Sequence, residues 1–559
     1  MIRNHRPRAL VALVLAISIT RTAAQVDPSK QQQFADNLTS LIYTNENDFS
    51  SALGVSMAFS LIWPGCTGDA IDEVRQTLGY PEDGSNMRLV WEETTQTMLA
   101  VANGECLYEF TDGVCESYAP LLKIANSIWF DDGDVLNATY ESIAGNYTMQ
   151  TDFEAEDSPV VVNEWVKNST NGLIDSIVSE GQPLFPPLVL IAINSIYLKA
   201  SWMFPFEKSL TNLDAFYDSA SRSTKVSEAH FMHELEYFAY SHEVLSGYQV
   251  IDLPIADAPL SVLFVLPIVD GANDVTSTEL ISIVDTLPST RVALALPKFK
   301  FESTYDDGLK DALMQLGIVS PFTAGSDGLC GIFDEASYDC TNLVIDKVIQ
   351  KTVIDVNEEG LEAAAVTAVM VGLTAAPVDD PILMVLDHPF QFFIYNRDEE
   401  LMLFEGRLGL PEVPETEPEV PLLDGVHSDS DFWFNTFGVN VVDPTLPANT
   451  NITTTAATSS STAATTIDVD GVEPTSTTTS TMTSELTSSE TDQVVSKPSS
   501  QPSSLGTVAT TISTSSTSSK GTPPQPINTS GSTAISITPF TFSAWACMIS
   551  FVYAMGTVW

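Results

Sequence analysis

Positive charge is scarce in this chain of 559 residues. Lysine and arginine together number 23, against 73 aspartate and glutamate residues, so the formal net charge is −50 at pH 7. Nucleic acids and heparin bind stripes of basic side chains that neutralise phosphate or sulfate, and the sequence contains no such stripe. We therefore expect neither a nucleic-acid partner nor a heparin site.

Patterns typical of catalysis and metal binding are also missing. His230, His233 and His242 lie among acidic residues, but they form no His-Glu-x-x-His pair and spacing identifies no third ligand. No Gly-x-Ser-x-Gly motif occurs in the part of the chain expected to fold, and no glycine-rich phosphate loop precedes a helix. The sequence predicts a protein that is not an enzyme and uses no metal or cofactor.

Cysteine is limited to six residues. Cys106 and Cys115 lie close together in sequence, as do Cys330 and Cys340, so two local disulfides fit an exported protein. The alternative is free buried thiols, because pairing depends on geometry that spacing does not fix. Cys66 is left over.

The N-terminus has the order of a secretory signal peptide, residues 1–24. Three arginines precede the apolar run Ala9–Ile17, and Thr22-Ala-Ala24 offers a small-residue cleavage site. The run is too short for a spanning helix, although an uncleaved anchor is the alternative. Several Asn-x-Ser/Thr sequons fit glycosylation in the same exported compartment.

The composition changes after Pro411. Residues 412–444 form an acidic, proline-containing linker with a brief aromatic island, Phe432–Phe437. Residues 445–530 are dominated by serine and threonine and have too little apolar surface to offset the entropy of an ordered chain. We expect a disordered, O-glycosylated stalk.

The last residues, 531–559, follow the order of a GPI-anchor signal. Ser530 begins three small residues, a short spacer follows, and an uncharged apolar tail ends the chain. The sequence therefore predicts lipid attachment at Ser530 and display on the outer face of the plasma membrane. The alternatives are a retained transmembrane helix, against which the absence of a following Lys or Arg argues, or a secreted protein.

Apolar and aromatic residues concentrate before residue 412, which fits one large domain. Helical spacing appears near Phe34–Ile42 and over Ser51–Ile62, and the apolar run Leu121–Phe130 predicts a strand. The fold class predicted is α+β, with large mixed sheets surrounded by helices. We expect the domain to be a monomer.

One stretch, Asp355–Pro377, fits two secondary structures. Its alanines suit a short helix, whereas its valines and Thr367 suit a strand. In an extended chain, alternate residues would share one face that is compatible with burial: Leu361, Ala363, Ala365, Thr367, Val369 and Val371. Pattern alone also allows an ordinary buried strand or helix.

Three segments carry a resemblance to a known family. Val356–Ala368 resembles the hinge of the reactive-centre loop of inhibitory serpins, and Asp387–Tyr395 followed by Leu403–Arg407 resembles the C-terminal signature of that family. The resemblance covers roughly residues 30–411 and implies a serpin domain over 25–411 with an exposed reactive-centre loop.

The resemblance also implies site residues. The bond cut by a protease would join Thr374 to Ala375, with Leu373 as the alternative bait residue. Trp202 matches the tryptophan at the "breach" where the loop begins to insert, and Asn194 and Ser51 match the "shutter" beneath the sheet. Gly54 replaces a usual serine there and Gln350 a frequent histidine. The hinge comprises Glu358, Glu359, Gly360, Leu361, Glu362, Ala363, Ala364, Ala365, Val366 and Thr367.

The function implied is that of a suicide-substrate inhibitor of serine endopeptidases. The small hinge residues favour insertion, whereas Leu361 is larger than the usual Thr or Ser. The loop from Leu361 to Pro381 has no Lys or Arg, which disfavours trypsin-like targets and favours elastase-like or subtilisin-like proteases, with cysteine proteases also possible. The alternative is a non-inhibitory serpin-like binding or chaperone protein at the cell surface.

Overall fold

The structure, a computed structural model, describes residues 27–81, 104, 106–109, 115–184, 190–334, 340–361, 380–412 and 430–445. All of them belong to the first of two compact units, Met1–Ser460. The predicted signal peptide, the stalk and the apolar tail with Ser530 lie outside the described residues. None of the described helices is both long and apolar enough to cross a membrane.

Helices occupy much of the segment before the first long strand and recur between later strands. In chain order, the α-helices of the described residues are α1 Pro28–Ile42, α2 Ala52–Ile62, α3 Ala70–Thr77, α4 Ala138–Ala144, α5 Ser158–Ser169, α6 Ser277–Ile283, α7 Asp307–Gln315 and α8 Ser430–Phe437. The uncharged sequence of α2 predicts a helix buried on every side, and all eleven of its residues are buried.

The strands are rich in β-branched and aromatic residues, as their apolar runs predict. They are β1 Asn47–Ser50, β2 Cys106–Glu109, β3 Cys115–Tyr118, β4 Leu121–Asp131, β5 Thr148–Thr151, β6 Leu190–Ser201, β7 Asn212–Tyr217, β8 Lys225–Ser241, β9 Tyr248–Pro254, β10 Leu260–Pro267, β11 Ser289–Pro297, β12 Phe299–Tyr305, β13 Lys347–Asn357, β14 Gly360–Leu361, β15 Ile382–Val385, β16 Phe390–Asn396 and β17 Leu401–Leu408.

Two large sheets organise these strands. The six-stranded sheet, called the central sheet below, has the order β12-β13-β14-β6-β4-β5. The nine-stranded sheet has the order β1-β17-β16-β10-β9-β8-β11-β15, and β7 pairs with β8. Both sheets mix parallel and antiparallel pairs, for example β13 parallel to β6 and β4 antiparallel to β6. The predicted α+β fold with large mixed sheets is confirmed.

The central sheet is buried on both faces, which explains why β6 is apolar at nearly every position. Alternate β6 residues such as Ala192 and Ile196 belong to the main core with α2, whereas Ile191 and Ile193 join a second core with Val162 of α5. A strand covered on both faces reads as a continuous apolar run rather than an alternating one. Any strand added beside β6 would therefore also be covered on both sides.

One of the buried side chains of β17 carries a carboxyl group. The side chain of Glu405 is buried, and burial together with the nearby Asp36 raises its pKa to about 8. The folded protein therefore keeps a proton on Glu405 at pH values where the unfolded chain has released it.

We expect the free energy of unfolding to fall as the pH rises from about 4.5 to about 8. Over this window Glu405 destabilises the domain by as much as about 4 kcal/mol. Glu405→Gln removes the ionisation, so its melting temperature should exceed that of the unchanged protein at pH 8 and approach it at pH 5. The control is Glu399→Gln, an exposed carboxylate beside the neighbouring strand. Equal pH profiles for the Glu405→Gln and unchanged proteins would contradict the expectation.

Candidate functional site

The central sheet contains a short strand at the point where two longer strands separate. β13 and β6 pair directly over Lys347–Thr352 and Ile191–Ile196, and above this zone the two strands diverge. After Asn357 the chain turns back, and β14 enters the space between them. Leu361 pairs with Val356 of β13 on one side and with Ala200 of β6 on the other. Gly360 and Leu361 of the predicted hinge are therefore part of the sheet as a strand.

Gly360 is required at this entry point. Its φ of +153° is a backbone conformation that L-residues rarely adopt. A Cβ atom at this position would lie 1.9 Å from the carbonyl oxygen of Ala200 and 2.7 Å from the Cα of Ser201. Because those atoms are backbone of β6, they cannot move aside without disturbing the strand. A side chain here would push β14 out of the sheet.

The two acidic hinge residues hold the turn that precedes Gly360. Glu358 is buried, accepts a hydrogen bond from the Thr211 hydroxyl at 2.7 Å, and forms an ion pair with Lys298 at 3.2 Å. Glu359 forms an ion pair with Lys208 at 2.6 Å. Removing one partner from a buried ion pair costs about 3–5 kcal/mol, because the other charge is left without compensation. Glu358 therefore fixes the turn more strongly than the half-exposed Glu359 pair does.

Trp202 supports the same turn from the β6 side. Its indole N–H donates to the carbonyl of Asn357 at 2.9 Å, and its backbone N–H donates to the carbonyl of Glu359 at 3.0 Å. The carbonyl of Glu358 accepts from the backbone N–H of Phe206 at 2.9 Å. Each of these turn carbonyls thus has a partner on the segment after β6. Trp202 is a buried packing residue and a hydrogen-bond donor at the entrance to the gap.

Beneath the entrance, polar side chains join β13 to β6. The amide nitrogen of Gln350 donates to Oδ1 of Asn194 at 2.7 Å and to the carbonyl of Ser51 at 2.8 Å. Ser51 returns a bond from its own N–H to Oε1 of Gln350 at 3.0 Å. Asn194 in turn donates to Asn126 on β4 at 2.7 Å. This network, which we call the strand lock, consists of Ser51, Asn126, Asn194 and Gln350, all on strands or at the N-cap of α2.

Because Gly54 has no side chain, it leaves room for the amide of Asn194 in the strand lock. A Cβ atom at Gly54 would lie 2.4 Å from Oδ1 of Asn194 and 2.9 Å from its Nδ2. Asn194 cannot yield easily because both Gln350 and Asn126 hold its amide. The two departures from the family pattern, Gly54 and Gln350, therefore meet at one side chain. The structure brings them together with Ser51 and Asn194.

Several predicted residues fall outside the described part of the chain. Structure is described again from Asp380, just before β15. The predicted residues outside the described ranges are Glu362, Ala363, Ala364, Ala365, Val366, Thr367, Leu373, Thr374 and Ala375.

The predicted cysteine pairs can be compared with the structure. Cys330 and Cys340 form a disulfide, and Cys106 is disulfide-bonded on a strand that pairs with the strand of Cys115. Cys66 is a buried free thiol.

Sequence reasoning missed three contributors to the site. It named neither Lys298 and Thr211, which contact Glu358, nor Asn126 of the strand lock. Isolated Lys, Thr and Asn residues carry no local signal, because their role depends on strands far apart in sequence. It also placed Phe432–Phe437 within a linker, whereas these residues lie in α8, and Phe432, Trp433 and Phe437 pack against the domain. Their aromatic content was the available signal.

Comparisons with known proteins agree with this geometry. A family model described as Serpin (serine protease inhibitor) matches residues 29–411. An uncharacterised serpin-like protein of Thermococcus kodakarensis is 30% identical over 386 residues, 66% of this chain and 82% of that protein. Serine protease inhibitor 42Dd of Drosophila melanogaster is 28% identical over 409 residues, 71% and 99% of the two chains. The crystal structure of Serpin48 from Tenebrio molitor matches with a TM-score of 0.52 and 27% identity, and covers 68% and 96%.

The strand lock yields a prediction about coupled side chains. We expect Gly54→Ser to lower the free energy of unfolding by about 1–3 kcal/mol, because the new side chain overpacks against Asn194. In an Asn194→Ala background the same change should cost much less, since the clashing amide is absent. Urea denaturation of the two single variants and the double variant measures this coupling.

The matched control is Gly308→Ser, at a helical glycine where a Cβ atom would meet nothing within 4 Å. It should change the urea midpoint little. Additive costs for Gly54→Ser and Asn194→Ala would show that the two residues do not interact as described.

Proposed function

Because the chain belongs to the serpin (serine protease inhibitor) family, we propose that its domain inhibits serine endopeptidases as a suicide substrate. The observation that carries the proposal is β14, which already lies between β13 and β6 before any cut. A strand that has begun to pair on both sides provides a register for the residues that follow it.

Extending that register predicts where the hinge would lie after cleavage. Antiparallel pairing of Gly360 with Ser201 and Leu361 with Ala200, continued along β6, ends at Val371 opposite Leu190. The full length of β6 would thus be paired by residues 360–371. Thr374 lies just beyond the last paired residue, so the proposed cut would free enough chain for the new strand.

The same register accounts for a polar residue in the hinge. Thr367 would lie opposite Asn194 on β6 and opposite Gln350 on β13, on the face that the core covers. Entry of a strand separates β13 from β6 and breaks the hydrogen bond between Gln350 and Asn194. The Thr367 hydroxyl can both donate and accept, so it would satisfy the two amides that insertion separates.

Side-chain size favours insertion at the remaining positions. Leu361 is buried in the main core, so alternation directs Ala363 and Ala365 to that same covered face. Alanine adds little volume to a close-packed interior, whereas a charged residue there would be buried without a partner. Leu361 itself already occupies its inserted position, so its bulk does not oppose the first step.

The chemistry begins as ordinary proteolysis. The serine hydroxyl of the protease attacks the carbonyl carbon of Thr374, the Thr374–Ala375 peptide bond breaks, and the new amine of Ala375 leaves with the proton. The protease is then held as an ester on Thr374. Loop insertion, the serpin case of strand addition, carries it away from the cut site and distorts its active site before water can release it.

The loop sequence favours small or apolar specificity pockets. No Lys or Arg occurs from Leu361 to Pro381, so a trypsin-like pocket with its buried Asp finds no cation to pair. Thr374, or Leu373 one residue earlier, suits elastase-like or subtilisin-like proteases, and cysteine proteases are further candidates.

We also propose that the domain is exported and held at the outer cell surface by a stalk and a GPI anchor at Ser530, which the N- and C-terminal sequences support.

The trapping mechanism predicts a covalent complex. Mixed with a panel of purified proteases, the full chain should form a denaturant-resistant complex with an elastase-like or subtilisin-like enzyme. Ala363→Arg should be cut at the same bond yet form at least about tenfold less complex, because a charged side chain on the buried face resists insertion. Gel electrophoresis in denaturant and sequencing of the released fragment measure both outcomes.

Val378→Arg is the matched control, since it lies beyond the cut bond and never enters the sheet. It should trap as well as the unchanged protein. Clean cleavage with no complex and no rise in melting temperature would instead favour a non-inhibitory binding or chaperone protein.

The anchor predicts release by a lipid-specific enzyme. Phosphatidylinositol-specific phospholipase C, added to intact expressing cells, should release the protein into the medium together with known GPI-anchored controls, because it cuts the lipid and not the chain. Immunoblots of medium and cells provide the measurement. Retention on cells while the controls are released would favour a spanning helix, and recovery in the medium without enzyme would favour a secreted protein.

A further inference from the structure

A segment beyond the family domain is packed onto it. Residues 430–445, which we call the strap, begin with α8 and continue to Thr445. Trp433 is fully buried and Val441 is nearly so, and both belong to the main core. The ring centroids of Phe432 and Trp433 lie 4.6 Å and 5.6 Å, respectively, from the centroid of the His233 imidazole on β8. A tryptophan buried to this extent fixes the strap on the nine-stranded sheet.

The strap also pairs with the strand that ends the reactive loop. The N–H of Val442 donates to the carbonyl of Pro381 at 2.9 Å, and the N–H of Leu383 donates to the carbonyl of Val442 at 2.8 Å. These bonds form a parallel bridge between Val442 and Ile382. β15 is the last strand of its sheet, with β11 on its other side. The strap therefore covers the outer edge of β15 where the loop joins it.

Charge supports the same attachment. The guanidinium of Arg222 donates to Asp387 at 2.6 Å, just after β15, and Asp443 of the strap adds a second favourable carboxylate. Burial opposes the charge on Arg222, but Asp387 and Asp443 together raise its pKa. Arg222 thus interacts favourably with a carboxylate just after β15 and with one in the strap. The strap is anchored on the nine-stranded sheet by the burial of Trp433 and is joined to β15 by backbone pairing.

The position of β15 limits how far an uncut loop can enter the central sheet. The C-terminal end of β15 lies near the entry turn, because Val385 pairs with Ala295 of β11, and Lys298, three residues further along, forms an ion pair with Glu358. Full insertion would place Val371 at the far end of β6, about 40 Å away at about 3.3 Å per residue. The residues from Gly372 to Pro381 span at most about 35 Å and must also pass around the sheet. Full insertion without a cut therefore requires β15 to leave its sheet.

We propose that the strap holds β15 in place and thereby preserves the uncut, inhibitory form of the loop. This rests on the proposed function, because only a loop able to insert needs such a restraint. The strap acts on β15 and not on the sequence of the loop, so it would raise the barrier to release of β15, prolong the lifetime of the inhibitory form and leave protease specificity unchanged.

The test uses the purified full chain and two strap variants. Trp433→Ala removes the buried anchor, and Val442→Pro removes the N–H that bonds to Pro381. Phe434→Ala is the matched control, because this aromatic residue of the same helix is 49% exposed. Each protein is incubated without protease at 37 °C, and samples are assayed for complex formation and for an uncut, urea-resistant species on gels. Hydrogen exchange of residues 382–385 is measured in parallel.

We expect both strap variants to lose complex-forming protein about tenfold faster than the control and the unchanged chain, with a matching gain of the uncut, urea-resistant species. Exchange in 382–385 should also become faster. Unchanged conversion rates in both variants, or loss of activity by aggregation without that species, would overturn the proposal. The unchanged chain, cut in its loop, tests the proposed function separately: if its melting temperature does not rise, insertion itself is wrong.

Discussion

The hydrogen bond between Gln350 and Asn194 is the constraint on which the rest of this structure depends. It closes β13 onto β6 at the level where the two strands stop separating, and each amide is itself held, by Ser51 on one side and Asn126 on the other. A neutral amide pair of this kind contributes only about 0.5–1.5 kcal/mol. Such a bond is strong enough to define a closed sheet and weak enough to be exchanged for a full strand of new pairing.

Above this bond β13 and β6 are already separated. β14 pairs with both neighbours, and Glu358, Trp202 and Gly360 fix the turn that delivers it. Leu361 fills the first core position below the turn. The domain therefore combines a partly occupied entrance with a closed lower half. On the proposed mechanism, a cut loop would gain free energy by completing the sheet between β13 and β6.

Much of this architecture could be predicted from local patterns, and the remainder could not. An apolar run identified β4, and a charge-free helical run identified α2, because each pattern lies within a single element of the sequence. The hinge stretch was ambiguous between helix and strand, and only its neighbours β13 and β6 decide the conformation of Gly360–Leu361. Lys298 and Asn126 act through partners distant in sequence, which single residues cannot reveal. The strap shows the same limit, since Phe432 and Trp433 pack against His233 and Val442 pairs with Ile382, and these partners are distant in sequence.

The position of the bait residue has a consequence for how a captured protease would stay attached to a surface. A cut after Thr374 would divide the chain, and the one cysteine beyond the cut is Cys547, which lies in the tail that lipid attachment at Ser530 would remove. The protease ester would sit on the N-terminal fragment, whereas Ser530 would carry the lipid on the other. The two pieces are then joined by the pairing of β15, β16 and β17 within the nine-stranded sheet and by the strap. On the proposed mechanism, the captured enzyme would be tethered to the cell by folding alone, and its retention there would depend on the protein's stability and not on any covalent bond.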